Sequence, residues 1–405
     1  MATAMPTARW RRSCFSSPAS ATSSTSPAEF RPGLNGDIGL LMRSDMKRTL
    51  LFLATLLVCT ASQAQMKDPL APLKSYAAKS MSRCADAIMT LDQLETGPAN
   101  FEFYKITLRS SDQYCGGVKF MWYSPKSQQI VIGPVVKLSD SPKPLAARIT
   151  DDVTKAMGNG VAAAVAPFPL PDGLRAVNLT KDTPFGPFTY HAFVDAGEQF
   201  VILGMRGNLR TDPAQTLRET IGVANAVRKG NPKAKIEILE LSDLQCPSCA
   251  RAHVKVDPII EKNLSKVNYG RLDLPLFEHH QWALQGALAA RAINHVAPKK
   301  YWAYLDYVFK NQEEISKRPF DTFLQEYLSD NDIDKAAVQK IYGSKAERAA
   351  LLDQVSRAFS VGIASTPTYI VNGQMVGFGP EGNFTVDAIK SAIGLPAGTA
   401  ASKGK

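Results

Sequence analysis

The chain has 405 residues, 45% of them apolar and 21% charged, with a formal net charge of +10. It is long enough for about two or three domains and apolar enough to bury their cores, which argues against a wholly disordered or fibrous chain. Residues 1–64 hold seven Lys/Arg against three Asp/Glu, the remaining 40 basic and 34 acidic residues leave only +6, and no dense basic block with interleaved aromatics occurs, so nucleic-acid binding is disfavoured.

Residues 1–45 are rich in Ser, Ala, Thr and Pro, lack a sustained apolar period, and are expected to be disordered. RRSCF carries a twin-arginine pair, but no apolar region follows it closely. From Met46 the chain reads MKRTLLFLATLLVCTASQAQ. Lys47 and Arg48 form a basic start, and Thr49 to Thr60 an apolar core of roughly twelve residues, too short to span a bilayer comfortably. Ser62 and Ala64 then place small residues before a cleavage point at Gln65. Residues 46–64 thus read as a secretory signal peptide, with Met46 as the start and residues 1–45 as an upstream extension of the reading frame. Val58 stands where a lipoprotein box before Cys59 wants a small residue. Export makes the mature protein periplasmic or secreted and leaves it Cys84, Cys115, Cys246 and Cys249, an even set in an oxidising compartment.

Residues 66–227 read as a separate α+β domain. DPLAPLKSYAAKSMSRCADAIMTLDQL has helical character, and FEFYKITLRS alternates as a strand does. GVKFMWYS and QQIVIGPVVKL read as two strands joined by PKS, and PLAARITDDVTKAM as a helix. FGPFTYHAFVD and EQFVILGMRG form a late strand pair split by AGE. Cys84 and Cys115 are expected to pair and staple this domain, with two buried free thiols as the alternative. The basic, Gly/Pro-bearing end of residues 211–233 suggests a linker.

A second domain is expected over residues 228–395, with residues 396–405 a disordered tail. KIEILEL is a nearly continuous apolar run suited to a central buried strand. CPSCARAHVKVDPIIEKNL follows as a helix with Pro247 in its first turn and a kink expected at Pro258. After the strand KVNYGRLDLPLF come four helical stretches, of which DIDKAAVQKIYGSKAERAALLDQVSRAFSVG is the last. PTYIVNGQMVGF is a hairpin turning at NG, and TVDAIKSAIG a final helix. The order is β-α-β, helical insertion, β-β-α.

Cys246 and Cys249 are open to three readings: part of a zinc site, a structural disulfide, or a redox centre. Zinc needs four ligands, usually two close pairs, and no second pair is suitably spaced; His253, one helical turn on, does not complete a tetrahedron. A redox centre fits better, because Cys246 sits where strand gives way to helix. Unpaired N–H groups and the positive end of the helix dipole there favour a thiolate. Cys249, one turn further in, is placed to resolve a mixed disulfide.

The apolar strand, CPSC at a helix start, the helical insertion and GIASTPTYIVNG together resemble the DsbA-like branch of the thioredoxin superfamily over about residues 230–393. The resemblance implies a thioredoxin fold with a helical insertion and thiol–disulfide oxidoreductase activity. It implies that Pro367 is a cis-proline beside the CPSC loop, with the Thr366 backbone free to pair with an extended substrate. It implies that Glu240 is the buried acid that exchanges a proton with the inner cysteine; a Glu facing water is the alternative. Pro247 and Ser248 complete the substrate-facing loop. Strong oxidants of the group carry histidine where Ser248 stands, so a less oxidising centre is expected. His279 and His280 are expected to be structural or surface residues. FMWYSPKSQQIVIGPVVKLSD resembles strands of the dimerisation domain of DsbC/DsbG-type isomerases, which adds a homodimeric isomerase or reductase as the competing reading. Expected partners are reduced or misoxidised secreted proteins and a DsbB-like membrane redox partner; neither a metal nor an organic cofactor is expected. A chaperone-like binding module with an inert disulfide is the non-catalytic alternative.

Overall fold

The computed structural model describes residues 68–81, 86–110, 116–158, 160–377 and 382–396. The expectations for the leader, the tail and the Cys84–Cys115 pairing fall outside those residues. Pro69–Lys405 form one compact unit containing three five-stranded sheets.

Helix α1 (Ala71–Ser80) starts the described chain. Strands β1 (Ile88–Leu94), β2 (Glu102–Arg109), β3 (Gly117–Tyr123) and β4 (Gln129–Gly133) then form an antiparallel meander. The helical character read through to Leu94 stops at Ser80. Ile88–Leu94 is instead an edge strand in which only Leu91 is buried, held by backbone pairing to β2. Pairing with a neighbour outweighs local preference at such an edge.

The run QQIVIGPVVKL is two strands rather than one. After Pro134, β5 (Val135–Lys137) leaves for another sheet. Helix α2 (Leu145–Met157) follows, then β6 (Ala162–Val165), β7 (Arg175–Thr183), β8 (Gly186–Val194), β9 (Phe200–Leu203) and β10 (Met205–Asn208). The first sheet has the order β1-β2-β3-β4-β10, the second β5-β9-β8-β7-β6. EQFVILGMRG is therefore also cut, at Gly204, and the two cuts are one crossing point. A Cβ on Gly133 would lie 1.9 Å from the Leu203 carbonyl oxygen, and one on Gly204 would lie 1.9 Å from that of Ile132. Glycine is needed on both segments because each backbone occupies the other's side-chain space. β6 and β7 were not anticipated, although Val177 and Leu179 alternate with polar neighbours and are buried.

The expected linker is ordered structure. Helix α3 (Pro213–Ile221) is capped by Asp212, whose side chain accepts the Ala214 N–H at 3.2 Å, and it ends at left-handed Gly222 with φ 68°. Leu217 and Ile221, four apart, are buried, so DPAQTLRETIG carries every signal of a short amphipathic helix. β11 (Val227–Gly230) then pairs with the strand of KVNYGRLD, β13 below, as an edge of the third sheet.

That sheet has the order β11-β13-β12-β14-β15. Its members are β12 (Ile236–Ser242), β13 (Val267–Asp273), β14 (Thr368–Val371) and β15 (Gln374–Val376), with β12 parallel to β13 and antiparallel to β14. Helix α4 (Pro247–Glu261) joins β12 to β13. The insertion comprises α5 (Ala283–Val296), α6 (Tyr301–Lys310), α7 (Gln312–Ser316), α8 (Phe320–Asp330), α9 (Lys335–Tyr342) and α10 (Lys345–Ser360), and α11 (Asn383–Ala392) closes the fold. The last helical stretch breaks at Gly343, and Ser344 caps α10 by accepting the Glu347 N–H at 3.3 Å. The NG turn has left-handed Asn372 and Gly373, φ 49° and 83°. This is a thioredoxin fold with a helical insertion, preceded by a β-rich α+β part.

The two parts share a core. One apolar cluster runs from Tyr76, Ile106 and Met205 through Leu217 and Ile221 to Leu241 and Leu288. An aromatic seam closes its flank, where Phe188 of β8 meets Phe277 and Phe359 at ring-centroid distances of 5.5 and 5.7 Å.

Candidate active site

β12 delivers the chain to the end of the central strand, and a short turn places Cys246 as the N-cap of α4, followed by Pro247. Cys246 N–H donates to the Asp243 carbonyl at 3.2 Å, and Cys249 N–H to the Cys246 carbonyl at 3.0 Å. Both thiols are free; Cys249 is 0% exposed and Cys246 only 6%. Their acidities diverge. The Cys249 thiol, bonding the Cys246 sulfur, together with contacts from Thr366 and the Cys249 backbone, outweighs burial and lowers Cys246 to about 6. Burial, then the adjacent Cys246, push Cys249 well above the ordinary thiol value. The expectation of a depressed Cys246 rested on the helix dipole; the strongest influence here is the partner thiol.

The Thr366–Pro367 peptide is cis. It lies beside Cys246 because β14, which Thr368 opens, pairs directly with β12. The Cys246 thiol donates to the Thr366 carbonyl at 3.5 Å across a sequence separation of 120. Pro247 is exposed and Ser248 half-buried. The Ser248 hydroxyl accepts a hydrogen bond from Arg251 at 2.7 Å.

Glu240 lies beneath this pair, 4% exposed, on the face of β12 that also carries Ser242. The Tyr269 hydroxyl donates to its Oε2. Tyr369 is the register partner of Glu240 on the neighbouring strand β14. Tyr369 feels the charges of both Glu240 and Cys249, and burial with these charges raises its hydroxyl well above the ordinary value. Cys246, Cys249, Glu240, Thr366 and Pro367 are thus brought together, with Pro247 and Ser248 on the open side.

Three neighbours were not anticipated. The Asp243 carboxylate is fully buried and sits 2.6 Å from His280 Nδ1, so of the two roles expected for His280, structural or surface, it has the structural one, beside the site. Gln312 of α7 donates to the Leu244 and Cys246 carbonyls at 2.8 and 3.1 Å and clamps the turn. Sequence separations of 37 and 66–68 leave no local signal for these contacts; only the polar SD between an apolar strand and the cysteines hinted at Asp243.

The fold of this part is that of thioredoxin, and residues 223–394 match the thioredoxin family model. The chain is 28% identical over 142 residues to the thiol:disulfide interchange protein DsbA of Azotobacter vinelandii, covering 35% of this chain and 64% of that protein. It is also 24% identical over 197 residues to Na(+)/H(+) antiporter NhaA 1 of Salinispora arenicola, covering 45% of this chain. The chain spans 28% of that antiporter's length, 24% of the related NhaA 3 of Salinispora tropica, and under two thirds of DsbA. No helix among the described residues is long and apolar enough to cross a membrane. Solved structures similar to part of it include oxidised BdbD of Bacillus subtilis (18% identity, 42% of this chain, 92% of that one, TM-score 0.36) and alpha-DsbA1 of Wolbachia pipientis (22%, 42%, 92%, 0.36).

Proposed function

We propose that the chain is an exported thiol–disulfide oxidoreductase, periplasmic or secreted, that exchanges disulfides with secreted proteins through Cys246 and Cys249. The observation that carries this reading is the asymmetry of the pair: Cys246 is lowered to about 6 beside the Thr366 carbonyl, while Cys249 is fully buried and pushed up. A stabilised thiolate leaves well, so the dithiol is favoured over the disulfide and the centre tends to oxidise its partner.

In that direction a substrate thiolate attacks the Cys246 sulfur of the Cys246–Cys249 disulfide. A mixed disulfide forms, and Cys249 leaves with the electron pair and takes up a proton, with Glu240 as donor. A second substrate thiolate then attacks the substrate sulfur of the mixed disulfide and expels Cys246 as thiolate. The substrate gains a disulfide and the protein becomes the dithiol. The two sulfurs carry both electrons, so no organic cofactor is required, and a DsbB-like membrane partner would restore the disulfide. Thr366 and Pro367 would align an extended substrate, with Pro247 and Ser248 at its edge.

The neutral Ser248 hydroxyl favours a second reading, a less oxidising centre used by a homodimeric isomerase or reductase. Refolding assays on reduced and on scrambled substrates, with the reduction potential of the pair and the solution mass of residues 65–405, separate the two. Cys249→Ser should trap a mixed disulfide through Cys246. Alkylation of Cys246 with an ordinary thiol pKa, and no trapped species, would leave only a binding module.

A further inference from the structure

We propose that His280 is a positioning residue for Cys246: its ring, held on the Asp243 carboxylate, neutralises a buried negative charge beside the reactive sulfur and thereby favours the thiolate. The inference rests on reading Cys246 as the attacking thiol.

Asp243 is the hinge of the site. Its Oδ1 accepts the Gln245 N–H at 2.8 Å. Its Oδ2 accepts the Leu276 N–H at 2.8 Å and meets His280 Nδ1 at 2.6 Å. Its backbone touches both cysteines, since the carbonyl accepts the Cys246 N–H at 3.2 Å and the N–H donates to Cys249 Sγ at 3.4 Å. The side chain is 0% exposed, so its charge is poorly screened and opposes a neighbouring thiolate. An imidazolium at 2.6 Å cancels that charge.

His280 is suited to hold it. Burial works against the charged ring, but the Asp243 bond and charge, with a contribution from Cys246, prevail and raise its pKa above the ordinary value. Other charged groups near the turn are Glu278, His279 and Arg251, of which His279 is exposed. Glu278 takes Lys181 of β7 at 2.5 Å, and Arg251 of α4 donates to Ser248 at 2.7 Å. When the Cys246–Cys249 bond is reduced and Cys246 retains the electron pair, the imidazolium–carboxylate pair next to it is neutral overall. No proton leaves His280 in this step.

The test is the pH dependence of Cys246 alkylation in the reduced full chain. His280→Asn keeps a donor for Asp243 but carries no charge. It should move the inflection up by about one pH unit, which makes alkylation below the inflection about tenfold slower. Adding Asp243→Asn should return it towards wild type, a reversal that a purely structural role does not produce. A variant-free measurement is the NMR titration of the His280 ring, whose pKa should be higher in the dithiol than in the disulfide form. Equal ring pKa values in the two forms, or a folded His280→Asn protein with the wild-type inflection, would overturn the proposal. A wild-type inflection at the ordinary thiol value would instead sink the oxidoreductase reading itself.

Discussion

The chemistry at residue scale is a division of labour between two thiols three positions apart. The lowered Cys246 has a direct linkage consequence. Its pKa falls on folding from 9.0 to about 6, so the fold is stabilised fully above the ordinary value, and that stabilisation is lost as pH falls through about 6. The difference in urea midpoint between reduced wild type and reduced Cys246→Ser should therefore widen in favour of wild type from pH 6 to 9; a constant difference would contradict it. Glu240→Gln should slow the step in which Cys249 gains or loses its proton by about 10–100-fold while leaving Cys246 alkylation nearly unchanged, as stopped-flow exchange with a reduced peptide can show. CPSC and Pro367 were legible because each is a local motif in a telling place. Asp243, His280 and Gln312 were not, because their roles exist only across the gap between strand and insertion.

Elements with a strong period were legible from their own residues, and those shaped by neighbours were not. β12 and α4 announced themselves through an apolar run and a helix start with proline. The break at Pro134 did not announce that β4 and β5 belong to different sheets, because a sheet switch depends on a second segment of the chain crossing at Gly204. That crossing predicts that Gly133→Ala, whose new Cβ would collide with the Leu203 carbonyl, costs at least about 2 kcal/mol in urea denaturation. The helix Pro213–Ile221 was passed over for the basic, Gly/Pro-bearing residues after it, although Asp212, Leu217, Ile221 and Gly222 marked cap, face and stop.

For the whole molecule, the shared apolar cluster and the seam of Phe188, Phe277 and Phe359 bind the β-rich part to the thioredoxin domain. Phe188→Ala should cost about 3–5 kcal/mol. Thermal unfolding followed by tryptophan fluorescence and by far-UV circular dichroism should give one coincident transition, and two resolved transitions would show that the parts fold independently. By itself the sequence determined the scaffold of residues 228–395: a strand, a CxxC at a helix start and a later hairpin follow from local pattern, and the distant TPT took its meaning from the family resemblance. The tertiary structure alone decided how the thiols are set apart, because the full burial of Cys249 and the approach of Thr366 to Cys246 arise where segments remote in the chain exclude water from the same few ångströms.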